Sequence, residues 1–196
     1  VSSLSVAHIT PVSIASGKTL SGAITVTAGS LKLTEAGTLA SSVSMSGGVL
    51  DADESSTVSG ALSHTADITI DVADNKTLTY SGAAVSLGAN TITLSGGGTL
   101  GNTNALVLNN ANSKLLLNSI TLDSASTSAD SSSGGLDVDD DSTVSSLSVA
   151  HITPVSIASG RSLSGAITVT AGSIKLDDTG TLASVISMSG GTLDAD

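Results

Sequence analysis

Residues 1–53 recur almost unchanged as residues 144–196. The two segments are identical at 44 of 53 positions, and the nine differences are mild, as where Leu31 corresponds to Ile174. The chain is therefore one full repeat unit, residues 1–143, followed by the start of the next, residues 144–196. A self-contained globular domain would not naturally stop part-way through a repeat. We therefore expect either a longer tandem array or neighbouring chains that complete it by stacking end to end.

A shorter period lies within this unit. A hydroxyl residue followed by Leu or Val recurs along the chain, and we call this pair the marker dipeptide. It occurs as Thr19-Leu20, Thr38-Leu39, Thr57-Val58, Thr77-Leu78, Thr99-Leu100, Thr121-Leu122, Thr143-Val144, Ser162-Leu163 and Thr181-Leu182. The first seven intervals between markers together equal the length of the large repeat, so one large unit contains seven small ones.

Two short runs between markers alternate apolar and polar residues, such as Ala23-Ile24-Thr25-Val26 and Leu31-Lys32-Leu33 in the first small unit. A period of two places successive side chains on opposite faces, as in a β-strand, and helical spacing is absent. The pattern predicts an all-β fold, a parallel β-solenoid (β-helix). It has three short strands per 19–22-residue coil and seven coils per 143-residue repeat.

Stacked coils rise by the ordinary inter-strand spacing of about 4.8 Å, so seven coils advance about 34 Å. The marker hydrophobes are then expected to form one inward column: Leu20, Leu39, Val58, Leu78, Leu100, Leu122, Val144, Leu163 and Leu182. A narrow interior also explains why the chain has no Phe or Trp and only one Tyr. A two-layer sandwich is the rival fold, but its strands are usually longer and not tied to a repeated dipeptide.

Composition excludes several classes of protein. Without cysteine there is no disulfide scaffold or thiolate site. A net charge of −11 with six basic residues argues against a nucleic-acid partner. No apolar run is long enough to span a membrane. Ser and Asp are so abundant that their presence together with His does not indicate a catalytic triad, and we expect no enzyme activity and no required cofactor.

Acidic residues cluster at fixed distances before the marker dipeptide. In a stack indexed on the marker, Glu35, Glu54 and Asp74 fall one above another, and the densest group comprises Asp137, Asp139, Asp140 and Asp141. Like charges about 4.8 Å apart repel, and Ca²⁺ between them would relieve the repulsion because it prefers hard oxygen ligands. These seven residues are candidate Ca²⁺ ligands. The alternative is a solvated acidic edge that keeps a long fibre soluble.

The Thr of the marker dipeptide points outward, because its partner Leu points inward. A regular outward Thr ladder binds ice in some solenoids, where the face is flat and two Thr wide. The next outward position includes Gly101 and Asp123, which interrupt such a face. An ice-binding solenoid is therefore a weaker alternative than a plain hydroxyl ladder that favours strands.

The steps Gly37-Thr38-Leu39 and Gly97-Gly98-Thr99-Leu100, in a chain rich in Ser, Thr and Gly, resemble the repeat regions of large bacterial surface proteins. These are autotransporter passengers, filamentous-haemagglutinin-like adhesins and giant repeat fibre proteins. The resemblance covers the whole chain. It implies a right-handed β-solenoid that acts as an extended stalk or fibre outside the cell.

The sequence therefore predicts a structural segment of an extracellular or cell-surface fibre, stalk or filament, built from tandem or end-to-end stacked repeats. Near-identical long repeats favour a strut, because a catalytic site needs to occur only once. A calcium-dependent adhesin or binding module is the alternative function. The ligand on the cell surface is not identified by the sequence.

Overall fold

The computed structural model describes residues 3–7, 12–14, 22–102, 106–127 and 134–195, and all regular structure in these ranges is β-strand. The strands are β1 (Ser3–Val6), β2 (Val12–Ser13), β3 (Ala23–Val26), β4 (Ser30–Leu33), β5 (Thr38–Leu39), β6 (Val43–Met45), β7 (Val49–Ala52), β8 (Ser56–Val58), β9 (Leu62–His64), β10 (Ile68–Val72), β11 (Thr77–Tyr80), β12 (Thr91–Ser95), β13 (Thr99–Asn102), β14 (Leu106–Leu108), β15 (Lys114–Asn118), β16 (Thr121–Thr127), β17 (Gly135–Val138), β18 (Ser142–Ile157), β19 (Ser162–Leu176), β20 (Thr181–Met188) and β21 (Thr192–Ala195).

The strands pair in parallel and stack as a β-solenoid of about eight turns. Paired residues are separated by about one turn of chain, as where Leu31 pairs with Leu50 and Ile68 pairs with Ile92. Parallel neighbours so close in sequence require the chain to circle once between them. The predictions of an all-β fold and of parallel stacking are confirmed.

The pairings fall into three series. The marker series contains β5, β8, β11 and β13 and continues into β16, β18, β19 and β20. The second series begins as a four-stranded sheet of β1, β3, β6 and β9. The third contains β2, β4, β7, β10, β12, β15 and β17, then the ends of β18 and β19, and β21.

Alternate residues of each strand point into one continuous apolar core. In the third series Leu31, Leu50, Ile70, Leu94 and Leu117 follow one another in register, and each is at most 3% exposed. Strand β10 shows this alternation clearly, because its residues are buried and partly buried in turn. Aliphatic residues of similar size therefore stack on one another, and stacking supplies most of the stabilisation through burial of apolar surface.

The marker series is not the single inward column that the sequence predicts, because its register shifts by two residues at two places. Leu39 pairs with Val58 as expected, but Val58 pairs with Tyr80, and Leu78 pairs with Ser56. We call this shift the first register step. The predicted order resumes from Leu78 through Leu100, Leu122 and Val144. Leu20 lies outside the described residues.

The second register step follows Val144, which pairs with Gly165, while Leu163 pairs with Ser142. The predicted column is therefore wrong at both steps. A shift of two residues keeps every side chain on its own face of the strand, so the core survives both steps.

Buried hydroxyl groups complete the core where the register steps. Ser142 is 5% exposed; its Oγ donates to the carbonyl of Asp140 at 2.9 Å and accepts from the Ile120 backbone N–H at 3.3 Å. Tyr80 is 5% exposed, and its Oη donates to the carbonyl of Ala83 at 2.6 Å and accepts from the Leu62 N–H at 3.2 Å. These bonds remove the cost of burying polar groups in an apolar core.

Candidate functional site

Most of the ion pairs join neighbouring turns of the solenoid. All five described basic residues have a carboxylate within 3.1 Å. The pairs are Lys32 with Asp51 at 3.1 Å and Asp53 at 3.0 Å, Lys76 with Glu54 at 2.6 Å, Lys114 with Asp137 at 2.6 Å, Arg161 with Asp140 at 2.6 Å, and Lys175 with Asp177 at 3.0 Å. The carboxylates of these acidic residues are therefore partly neutralised by basic residues of the same chain.

Two of these pairs exist because of the register steps. At the first step Lys76, rather than Asp74, lies against Glu54, so the predicted acidic column of Glu35, Glu54 and Asp74 does not form in that order. Asp74 instead accepts a hydrogen bond from Asn75 Nδ2 at 2.9 Å. At the second step Arg161 Nη1 lies 2.6 Å from Asp140 Oδ1.

The group Asp137, Asp139, Asp140 and Asp141 is divided among different neighbours. Asp137 contacts Lys114 and Asp140 contacts Arg161, both at 2.6 Å. Asp141 Oδ1 accepts from the backbone N–H of Ser162 at 2.8 Å and from its hydroxyl at 3.0 Å. Within the described ranges, no three His, Asp or Glu side chains come together in a way that could hold a metal ion. Calcium at these residues stays a prediction of the sequence.

Burial and charge shift the ionisation of three of the paired groups. Lys32 donates hydrogen bonds to Asp53, which has the larger effect, and to Asp51, and both bonds raise the pKa of Lys32. The hydrogen bond that Lys114 donates to Asp137 raises the pKa of Lys114. Burial raises the pKa of Asp51, and Lys32 only partly offsets this effect. The lysines therefore stay charged above neutral pH, whereas burial shifts the Asp51 carboxyl toward its neutral form.

Reversing the charge at the first register step should destabilise the protein. We expect Lys76→Glu to lower the free energy of unfolding by about 1 kcal/mol at low salt, because it places like charges beside Glu54. The double variant with Glu54→Lys should recover most of the loss, since it restores an opposite pair. Urea unfolding at low salt and at about 1 M salt measures the stability of the single and the double variant. The difference in free energy of unfolding between these two variants should shrink at high salt.

A double variant no more stable than Lys76→Glu alone would mean that Lys76 and Glu54 are not neighbours, as in the unstepped register. The same measurements, repeated with Ca²⁺ and with a chelator, test the calcium prediction. A rise in stability with Ca²⁺ that the chelator reverses would support it, and no shift would remove it.

The last strands present an incompletely covered edge. We call β20 and β21, Thr181–Met188 and Thr192–Ala195, the open edge. The internal repeat supplies a matched reference, because these strands correspond to parts of residues 38–52. Met188 is 44% exposed and its counterpart Met45 is 0% exposed; Leu193 is 46% exposed and Leu50 is 1% exposed. The same side chains are thus buried when another turn follows them.

The opposite end of the solenoid is also incompletely covered, but its apolar side chains are less exposed. We call β1 and β2, Ser3–Val6 and Val12–Ser13, the first edge. Leu4 and Val12 are only partly buried, whereas their counterparts Leu147 and Val155 are 1% and 0% exposed. Among the described residues, each edge therefore lacks the neighbour that its copy has inside the solenoid.

The described residues enclose a small buried cavity and line a shallow groove. An apolar cavity of about 10 Å³ lies beside Tyr80, between Leu50 and Leu100. A shallow groove of about 350 Å³ is lined by residues that include Asp67, Thr69 and Thr91. Asp67 is bound there, since its Oδ1 accepts from the Thr91 N–H at 2.7 Å. No helix long and apolar enough to cross a membrane occurs in the described part of the chain.

The sequence matches no family model, and neither curated proteins nor solved structures include a significantly similar chain.

Proposed function

We propose that this chain is a structural segment of an extracellular or cell-surface fibre, stalk or filament, without catalysis. Its solenoid is right-handed, with three short strands per coil and seven coils per repeat unit. These units follow one another in tandem or stack end to end. The expected setting, a bacterial surface, comes from the resemblance of the Gly-Thr-Leu steps to surface-protein repeats.

The observation that carries this proposal is the continuity of the strand ladder across the boundary between repeat units. Leu122 of the first unit pairs with Val144 of the second, and Leu136 pairs with Val155. The apolar core is also continuous there, because all four residues are fully buried. A boundary built like the interior lets units be added without a hinge, which is what a strut requires.

The direction of the hydrogen bonds supports the same role. In parallel stacked turns the backbone hydrogen bonds run between turns, and therefore along the solenoid axis. Third-series pairings extend from Val12 to Leu193, so an axial load is shared among many bonds at every turn. Ion pairs such as that of Lys114 with Asp137 add cross-links of the same direction.

The binding alternatives have less support from the geometry. The outward residues Thr77, Thr99, Thr121 and Thr143 form one ladder in register. The parallel row beside it is interrupted, because Thr79 pairs with Gly101. The candidate Ca²⁺ ligands Glu54, Asp137 and Asp140 already contact basic side chains. Ice binding and calcium-dependent adhesion thus rest on sequence patterns.

Particle length should report the structural role directly. We expect chains carrying one, two and three copies of residues 1–143 to form rods whose length grows by about 34 Å per copy, the rise of seven stacked coils. Negative-stain electron microscopy and small-angle scattering measure this increment. Compact particles, whose longest dimension grows with the cube root of mass, would contradict the proposal.

A further inference from the structure

We propose that the solenoid has a flexible joint inside the repeat unit, between β9 and the turn that follows it. That turn contains β11, residues 84–87 and β12, and its second-series core residues are the buried Val85 and Leu87. We call the contact between β9 and residues 84–87 the seam. The inference rests on the proposed structural role and deepens it, because a joint decides where a strut bends.

The strand ladder of the second series is interrupted at the seam. Val43 pairs with Leu62 across the preceding interface, but within the described ranges β9 pairs with no strand of the turn that follows. Pairing of this series resumes one turn later, between Ser86 and Val107. The third series continues past the same place, since β10 pairs with β12 at four positions. One face of the solenoid is therefore unpaired at a level where another face is continuous.

The hydrogen bonds of the backbone show what replaces the missing pairing. The Val43 N–H donates to the carbonyl of Ala61 in the next turn at 2.8 Å. Its register partner Leu62 donates instead to the Tyr80 hydroxyl at 3.2 Å, and that hydroxyl donates to the carbonyl of Ala83 at 2.6 Å. The backbones of the two turns are thus joined at this point through one side chain rather than directly.

Two further features weaken the packing at the seam. His64 is the register partner of the fully buried Met45, and its Nε2 is buried with no hydrogen-bond partner among the described residues. An unsatisfied buried nitrogen destabilises the closed seam, because water would bind it when the seam opens. The small apolar cavity beside Tyr80 is lined from both sides of the seam, by Leu62 and Val85. The apolar contacts between these two turns are therefore incomplete.

The position of the seam places the joint inside the repeat unit and not at its boundary. At the boundary the second series is paired, since Ser126 of the first unit pairs with Ser148 of the second. Opening at the seam breaks few bonds, while the third series keeps the two sides joined, and this combination makes a hinge. A fibre of tandem units would therefore bend at one place in each unit.

Hydrogen exchange with a matched pair of disulfide clamps tests the joint on the full chain, which has no cysteine of its own. Thr57 and Thr79 are register partners that join the same two turns as the seam, and Thr77 and Thr99 are register partners across the next interface. Replacing the first pair by cysteine gives the seam clamp, and replacing the second gives the control clamp. Both disulfides close loops of equal length, so they restrain the unfolded chain equally.

In the unclamped chain, we expect the amides of Leu62 and Ser81 to exchange at least about tenfold faster than those of Val43 and Ser59, relative to their intrinsic rates. Ser81 and Ser59 are equivalent donors, each bonded at 2.9 Å to a carbonyl of the preceding turn. The oxidised seam clamp should remove this difference, and the control clamp should leave it. Equal exchange at the two interfaces, or a difference that responds equally to both clamps, would overturn the proposal.

Distances between spin labels test whether the opening bends the solenoid. Labels on cysteines at positions 25 and 107 span four turns that include the seam, and labels at positions 86 and 168 span four turns without it. All four positions face outward in the second series, and each pair spans about 19 Å along the axis. We expect a broader distance distribution for the first pair in double electron–electron resonance. Equal widths for the two pairs would contradict a joint at the seam.

These tests separate the joint from the structural role. Rods that lengthen by about 34 Å per copy, with uniform exchange and equal label widths, would keep the strut and reject the joint. Compact particles would reject the strut, whereas faster exchange at Leu62 and Ser81 would still establish the opening in the single chain.

Discussion

Replacing Leu50 by alanine is expected to lower the free energy of unfolding by about 3 kcal/mol, whereas the same change at Leu193 should cost less than about 1 kcal/mol. The two residues occupy the same position in successive repeat units. Leu50 is 1% exposed between Leu31 and Ile70, and its truncation leaves a cavity. Leu193 is 46% exposed, so water fills the space that its side chain leaves.

Urea unfolding measures both costs, with far-UV circular dichroism for the whole chain and fluorescence for the region of Tyr80. Tyr80 is the only aromatic residue and lines the same small cavity as Leu50, so its emission reports on that region alone. The measurements are made at a protein concentration at which the chain is monomeric, because end-to-end stacking of chains would cover Leu193. Equal costs for the two variants in the monomer would contradict the difference in burial between Leu50 and Leu193.

Local alternation and repetition were enough to predict the architecture. Apolar residues at every second position are buried in the structure, as in β10, where Ile68, Ile70 and Val72 are each at most 3% exposed. Leu39 and Leu78 lie in one sheet, as the marker periodicity requires. Both results follow from short-range rules, because a strand of period two and a turn of about twenty residues leave few other ways to bury these side chains.

The register steps could not be predicted from the same rules. A shift of two residues leaves the pattern of inward and outward residues unchanged, so alternation alone does not distinguish Leu78 from Tyr80 as the partner of Val58. The choice depends on three-dimensional fit. Gly82 has room for no side chain, since a Cβ there would lie only 2.6 Å from the Tyr80 hydroxyl. Tyr80 therefore needs a glycine beside it to remain in the core.

The ion pairs were missed for a related reason. Indexing on the marker dipeptide placed Asp74 above Glu54 and suggested a bound cation, while the steps place Lys76 there. A signal was present in the sequence, because Lys76 follows Glu54, and Arg161 follows Asp140, at close to one turn of chain. Opposite charges at that spacing identify both pairs.

The exposure of side chains at the open edge cannot be predicted from the local sequence. Met45 and Met188 have nearly the same sequence around them, yet one is 0% and the other 44% exposed. The difference comes entirely from the turn that covers the first and not the second. In a stacked repeat, burial is a property of neighbouring units rather than of the sequence of one unit.

Replacing Gly165 by alanine is expected to lower the free energy of unfolding by at least about 3 kcal/mol, because two costs combine at the second register step. Gly165 has a φ of +121°, which alanine rarely adopts. A Cβ at this position would also overlap the carbonyl oxygen of Val144, its register partner. The strands would have to separate or return to the unstepped register, in which Arg161 loses Asp140.

Gly101→Ala is the matched control in the same series of strands. A Cβ there would meet only side-chain atoms, the nearest being Asp123 Oδ2 at 3.2 Å, so we expect a cost below about 1 kcal/mol. Urea unfolding gives the two free energies, and hydrogen exchange should show lost protection around Val144 only for Gly165→Ala. If Gly165→Ala were as stable as Gly101→Ala, with protection at Val144 intact, the close approach of Gly165 to Val144 would be disproved, and the second register step with it.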